Sequence, residues 1–165
     1  SKVVTEIIQE TGGTVIGSRV GHIFIKKHMR KENAVFGGEV SGHYYHRDFF
    51  FAESALLATL RLLAILSESV KTLDELVKPL LRYVSSGEVN VSVVDKDKAL
   101  DAVVVHYKDA KEIKYTDGVS IVYDDFWFNV RPSNTESSLC ITMEARKKDI
   151  FEERIREVEE VAKIF

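Results

Sequence analysis

Cysteine occurs once in this chain, at Cys140, so no internal disulfide framework can form. A lone thiol fits a reducing compartment, and a cytoplasmic location is the expectation. Cys140 lies in the alternating stretch 139–143, which reads as a core thiol rather than a nucleophile. Long apolar runs are missing too. The richest, residues 55–66, is interrupted by Thr59 and Arg61, so it reads as a helix with one buried face and not as a bilayer span. No charged-then-apolar signal pattern opens the sequence, and export is not expected. Neither sign of charge dominates: 23 Lys and Arg against 26 Asp and Glu leave a formal net charge of −3. That balance argues against a general nucleic-acid binder, but a local cluster of donors could still hold a small anion. The strongest basic run, Lys26-Lys27-His28-Met29-Arg30-Lys31, reads as the solvated C-terminal end of a helix, where cations are favoured. Neither nucleic acid nor membrane is an expected partner.

What is present suits a globular protein. Over 165 residues, 45% are apolar and 30% charged, enough for one ordinary domain or two small ones. In the first half, Val4, Ile7 and Ile8 suit one face of a short helix that Gly12-Gly13 stops. Residues 14–16 read as a buried strand, Gly21 opens a helix, and residues 34–36 read as another strand. Asp48 precedes a long amphipathic helix with Leu56, Leu60 and Leu63 on one face. Thr72 is a candidate N-cap, and Pro79 ends or kinks the helix that follows. This alternation predicts an α/β layer with a parallel sheet.

Ser85-Ser86-Gly87 is the candidate boundary between residues 1–84 and 85–165. Beyond it, Val89, Val91 and Val93 alternate as a strand, and residues 95–107 read as helical. Asp117-Gly118 between two strand-like runs is the strongest hairpin signal in the chain. Strands are expected around Trp127, Phe128 and Val130 and over 139–143. A last helix is expected from Asp149, with Glu152 completing a capping box and Phe151, Ile155, Val158, Ala162 and Phe165 on its inner face. The prediction is an α+β domain, a four-stranded antiparallel sheet with two helices on one face.

Two polar loops could carry chemistry. In Gly37-Gly38-Glu39-Val40-Ser41-Gly42-His43, the glycines allow close approach, and an extended backbone would turn Glu39, Ser41 and His43 the same way. A carboxylate, a hydroxyl and an imidazole together suit vicinal sugar hydroxyls, although turn-rich loops after strands are common without any such role. Glu39 stands where a hydrolase nucleophile elbow needs glycine. The second loop is Arg131-Pro132-Ser133-Asn134-Thr135-Glu136-Ser137. Its guanidinium fork, hydroxyls, amide and backbone N–H groups match a phosphate dianion, or else form a plain polar hairpin loop. The Gly-rich spacing and lysine of a P-loop are absent. His43 and His46 lack a third ligand with metal-like spacing, and Asp95-Lys96-Asp97 lacks the glycine and distal glutamate of a calcium loop; no metal site is expected in this chain.

The two loops in this order resemble the signature loops of the α-D-phosphohexomutase family. Gly38-Glu39-Val40-Ser41-Gly42-His43 is similar to the sugar-recognition loop of its third domain. Arg131-Pro132-Ser133-Asn134-Thr135-Glu136 is similar to the phosphate-binding loop of its fourth. Arg19-Val20-Gly21-His22, Ser86-Gly87-Glu88-Val89-Asn90 and Asp117-Gly118-Val119 resemble further family segments, so the likeness covers nearly the whole chain. Asn134 and Val40 fit the phosphomannomutase/phosphoglucomutase group better than phosphoglucosamine mutases, while Ser137 stands where the family commonly has proline. The resemblance implies an incomplete α/β third domain over 1–84, then a TATA-box-binding-protein-like fourth domain over 85–165.

It also implies the chemistry. The intact enzyme would interconvert hexose 1-phosphate and 6-phosphate through a phosphoserine and a bisphosphate intermediate, with Mg²⁺. Glu39, Ser41, His43 and His22 would contact the sugar, with His43 and His22 as possible proton relays. Arg131, Ser133, Asn134 and Thr135 would hold the phosphate that is not reacting. Neither the family's serine loop nor its aspartate-rich metal loop occurs here. The chain therefore resembles a C-terminal fragment, expected to be inactive without the missing N-terminal domains. The rival readings are a stand-alone, non-catalytic sugar-phosphate-binding module, and phosphoglucosamine mutase specificity.

Overall fold

The computed structural model describes residues 1–133 and 135–163, which form two compact units. One comprises residues 16–79, the other residues 1–15 together with 80–165.

The 16–79 unit holds helix α2 (His22–Glu32), strands β1 (Phe36–Gly38), β2 (Tyr44–His46) and β3 (Ala52–Glu53), and helices α3 (Ala55–Glu68) and α4 (Leu73–Val77). The glycine before α2 is its N-cap, and Asn33 ends it in the left-handed conformation with its amide on the Met29 carbonyl. Ile25 and Met29 of α2 and Tyr45 of β2 make a small core, with Ala34 and Phe51 against it. Gly37 lets β1 approach α2 closely, since a Cβ there would lie 2.8 Å from the Met29 sulfur. The Ser54 hydroxyl caps α3, accepting from the Leu57 amide at 3.1 Å. Thr72 and Glu75 form a full capping box on α4, and a single 3₁₀ turn over Lys78–Leu80 follows it, containing Pro79.

Three expectations change here. The strands pair antiparallel in the order β1-β2-β3, because the short turn joining β1 to β2 is too tight for a parallel crossover. Residues 14–16 pair with no strand among the described residues. Asp48, which precedes α3 as expected, sits in a 3₁₀ turn and pairs with Arg61 at 2.5 Å. On α3, Leu56, Leu60 and Leu63 remain 71%, 53% and 54% exposed, so the periodic face read from the sequence exists but is not covered.

In the other unit a five-stranded antiparallel sheet has the order β4-β8-β7-β6-β5. Its strands are β4 (Val84–Ser92), β5 (Glu112–Lys114), β6 (Val119–Val122), β7 (Phe126–Pro132) and β8 (Ser138–Ala145). The count exceeds the expected four by the short β5, hairpinned to β6. Helices α5 (Lys96–His106) and α6 (Lys148–Ala162) share a core with alternate residues of the central strands: Ala99 and Val103, Val158 and Ala162, and Ile121, Phe128, Val130, Ile141 and Met143. Asp95 caps α5 by accepting from the Lys98 amide at 3.1 Å. Asp149 does not cap α6. Lys147 is the N-cap residue, and Asp149 lies in the first turn, where its charge still favours the helix dipole. Phe165, expected on the inner face of α6, lies outside the described residues.

Ser85, Ser86 and Gly87 lie inside β4. Between Ser85 and Glu88 that strand carries one residue more than β8, with Gly87 at φ +62° and the Ser86 hydroxyl accepting from the Met143 amide at 2.9 Å. Helix α1 (Lys2–Glu10) joins this unit through polar contacts. Glu10 grips Arg82 at 2.6 and 2.8 Å, Glu6 accepts from the Tyr83 hydroxyl, and the Lys2 amide donates to Glu144 at 2.8 Å. Glu144 is buried and also accepts from the Trp127 indole at 2.9 Å. Burial opposes its charge, but hydrogen bonds from Ser1, Lys2 and Trp127 hold its carboxyl below its ordinary 4.5.

Candidate functional site

The first loop joins β1 to β2. The Glu39 amide donates to the His43 carbonyl and the Gly42 amide to the Glu39 carbonyl, both at 3.0 Å. The chain thus closes a tight turn with Gly42 at φ +82°, in place of the extended run expected from the alternation. The three side chains fall into two groups. Ser41 Oγ lies 2.7 Å from His43 Nδ1, both exposed. Glu39 is half-buried and accepts from the hydroxyl of Tyr45, a fully buried phenol that the sequence reading did not single out. Burial, then the Glu39 carboxylate, raise the Tyr45 phenol far above its ordinary value, so it stays a proton donor. One carboxylate oxygen is occupied by Tyr45. The other takes no hydrogen bond among the described residues and is available to a hydroxyl.

His22, the first residue of α2, is exposed, and among the described residues no hydrogen bond joins it to Glu39, Ser41 or His43. His46 is buried instead, with Nε2 on the Ser54 carbonyl at 3.1 Å and its ring edge-on to Phe36. Among the described residues no three His, Cys, Asp or Glu side chains are grouped to hold a metal ion.

The second loop joins β7 to β8. Arg131 stands at the end of β7, opposite Cys140, on the sheet face away from the α5–α6 core. Its guanidinium Nη2 donates to Glu88 of β4 at 2.6 Å. Partial burial works against the Arg131 charge, but the Glu88 carboxylate, with Cys140 and Asp117 nearby, outweighs it and raises the group above its ordinary value. In the loop, the Ser133 amide donates to the Ser138 carbonyl at 2.9 Å. The Ser133 hydroxyl accepts from the amides of Thr135 and Glu136 at 3.4 and 3.2 Å. Those two amides converge on one oxygen, the arrangement that a phosphate oxygen could share. Asn134 lies outside the described residues.

Two residues that support this loop escaped the sequence reading. Lys96, at the start of α5, donates to the carbonyls of Ser133 at 2.9 Å and Glu136 at 3.2 Å. Gly118 turns at φ +63° directly under β7, where a Cβ would lie 2.3 Å from the Val130 carbonyl oxygen and 2.6 Å from Arg131 Cβ. Asp117-Gly118 is legible as a turn, but its contact with Arg131 is made to the neighbouring strand β7 and leaves no local signal. From the sequence, Asp95-Lys96-Asp97 reads only as a poor calcium loop.

Comparison with known proteins matches both parts of the chain to one family. Residues 1–83 match the family model for phosphoglucomutase/phosphomannomutase alpha/beta/alpha domain III, and residues 88–161 match that for the C-terminal domain. A phosphomannomutase of Methanocaldococcus jannaschii is 43% identical over 158 residues, covering 96% of this chain and 35% of the relative. A phosphomannomutase of Escherichia coli K12 is 37% identical over 86% of this chain and 31% of its own length. Among solved structures, a phosphoglucomutase/phosphomannomutase family protein from Burkholderia thailandensis superimposes with a TM-score of 0.80 at 25% identity, over 96% of this chain and 35% of that one. The chain belongs to the phosphoglucomutase/phosphomannomutase family, carrying its third-domain and C-terminal-domain sequences. It spans about a third of the length of the curated relatives it matches.

Proposed function

We propose that the whole protein is a phosphohexomutase that interconverts hexose 1-phosphate and 6-phosphate, and that this chain supplies a sugar-binding loop and a phosphate-binding loop. The observation that carries the reading is the match of both halves to consecutive domains of one family, each with its polar loop at a strand end. The same matches, ending at residue 83 and resuming at 88, support a domain division near 84/85. The phosphoserine, the bisphosphate intermediate and Mg²⁺ belong to parts of the enzyme beyond this chain. No grouping of described residues here suits the metal. A cytoplasmic location fits the single reduced cysteine, and no helix of the described residues is long and apolar enough to cross a membrane.

In this reading Glu39 accepts from a ring hydroxyl with the oxygen that Tyr45 leaves open, and Ser41 bonds a neighbouring one. The Ser41 contact fixes the ring of His43 through Nδ1, leaving Nε2 to meet substrate or relay a proton. His22 is a second imidazole able to contact sugar. Arg131, Ser133, Asn134 and Thr135 hold the phosphate that stays put, so remote binding energy lowers the barrier at the reacting end. The substrates are hexose phosphates, those of mannose or glucose.

The test is mutase activity on mannose 1-phosphate and glucose 1-phosphate, with the chain alone and mixed with domains carrying the serine and metal loops plus Mg²⁺. Activity only on mixing is expected. Saturable sugar-phosphate binding with no activity in any mixture would replace the enzyme by a stand-alone binding module.

A further inference from the structure

Arg131 is the cation that the sequence assigns to phosphate, yet its charge is already answered by Glu88 at 2.6 Å. Lys96 differs. No carboxylate lies within ion-pair distance of its ammonium among the described residues, and its two hydrogen bonds go to neutral carbonyls, those of Ser133 and Glu136. Those carbonyls bracket the loop. With both turned toward one ammonium, the Thr135 and Glu136 amides are left facing inward, onto Ser133 Oγ.

The position of the lysine is informative in its own right. It is the first residue of α5, next to the Asp95 cap, where a helix dipole disfavours a cation. An ammonium has three donors, and only two are used here. A half-buried lysine opposed by the dipole and paired with no described acid puts a positive charge beside the proposed phosphate loop.

We propose that Lys96 is a positioning residue for the phosphate loop, holding the carbonyls of Ser133 and Glu136 outward and lending its charge to the bound dianion. The proposal rests on the reading of residues 131–136 as a phosphate site. It adds to that site a second cation contributed by a helix and not by the loop itself.

The experiment titrates inorganic phosphate into the 165-residue chain, following the amide signals of Thr135 and Glu136 by NMR, for the parent, Lys96→Met, Lys96→Arg and Arg131→Ala. Lys96→Met is expected to weaken phosphate binding about tenfold, the size of one lost charge-assisted bond. The Thr135 and Glu136 amide signals of that variant should also shift before any phosphate is added. Lys96→Arg, which keeps the charge and can reach two carbonyls, should restore most of the affinity. A purely structural lysine would lower the thermal midpoint and leave affinity of the folded chain unchanged. Phosphate affinity of Lys96→Met within about twofold of the parent, with binding lost in Arg131→Ala, overturns the proposal alone. Binding that ignores Arg131→Ala as well, or no binding by the parent, removes the phosphate-loop reading and the proposal with it.

Discussion

Replacing Gly118 with alanine combines two costs that can be measured apart. The first is conformational, since Gly118 sits at φ +63°, and holding a non-glycine residue there costs about 1 kcal/mol. The second is steric. The new methyl would meet the Val130 carbonyl oxygen at 2.3 Å and Arg131 Cα at 2.7 Å, both fixed parts of β7 that cannot swing aside. Forcing a methyl into packed surroundings adds about 1–3 kcal/mol, for a total of about 2–4. Gly87 provides the control within the same unit. Its φ is +62°, but a Cβ there meets nothing within 4 Å, so Gly87→Ala should lose only about 1 kcal/mol. Urea unfolding followed by circular dichroism would give both values from midpoints at constant slope. The thermal midpoint of Gly118→Ala should fall by about 10 °C or more. Phosphate binding should weaken as well, because relief of the clash moves Arg131. Equal losses at the two glycines would refute the argument, since only the steric part separates them.

In the proposed whole enzyme, Arg131→Ala should lower kcat/KM by a factor equivalent to about 2–5 kcal/mol, through loss of the proposed phosphate contact and the Glu88 carboxylate left unpaired; steady-state kinetics with unaltered values would reject that role. Glu144 should make stability fall in acid. Its carboxyl titrates below 4.5 in the folded state, so its contribution is complete above that value and disappears as pH drops through the lower folded one. Urea midpoints from neutral pH to about pH 2 should decline less steeply in Glu144→Gln. Cys140, 6% exposed and with its thiol pushed up by burial, should resist thiol reagents until urea unfolds the chain; rapid native labelling would contradict its place in the sheet.

Much of this arrangement was legible from local patterns. The Thr72 N-cap and the Asp117-Gly118 turn are short-range chemistry, settled within four residues, and the structure keeps both, while the capping box expected at Asp149 gives way to Lys147 as the N-cap. Strand partnering is settled across the chain, which is why alternation suggested a parallel layer where β1, β2 and β3 run antiparallel. The Leu56-Leu60-Leu63 spacing correctly announced a helix, yet spacing alone does not say whether anything covers its face. The loop residues stood out by composition. Their supports did not: Lys96 lies 37 residues from Ser133, and Glu88 43 from Arg131.

The extra residue in β4 is a matter of parity. Three steps along β4, from Ser85 to Glu88, match two along β8, from Glu144 to Thr142. Side chains alternate faces with each step, so this odd step keeps Val89 and Val91 toward the helices while Glu88 and Asn90 stand on the Arg131 side. Deleting Gly87 would tidy the ladder and invert one end of the strand: either the valines turn outward or the residues before the bulge change sides. In this strand, a length change of one residue therefore acts as a reflection, and the Arg131 pair is lost only where the reflected end is the one that carries Glu88.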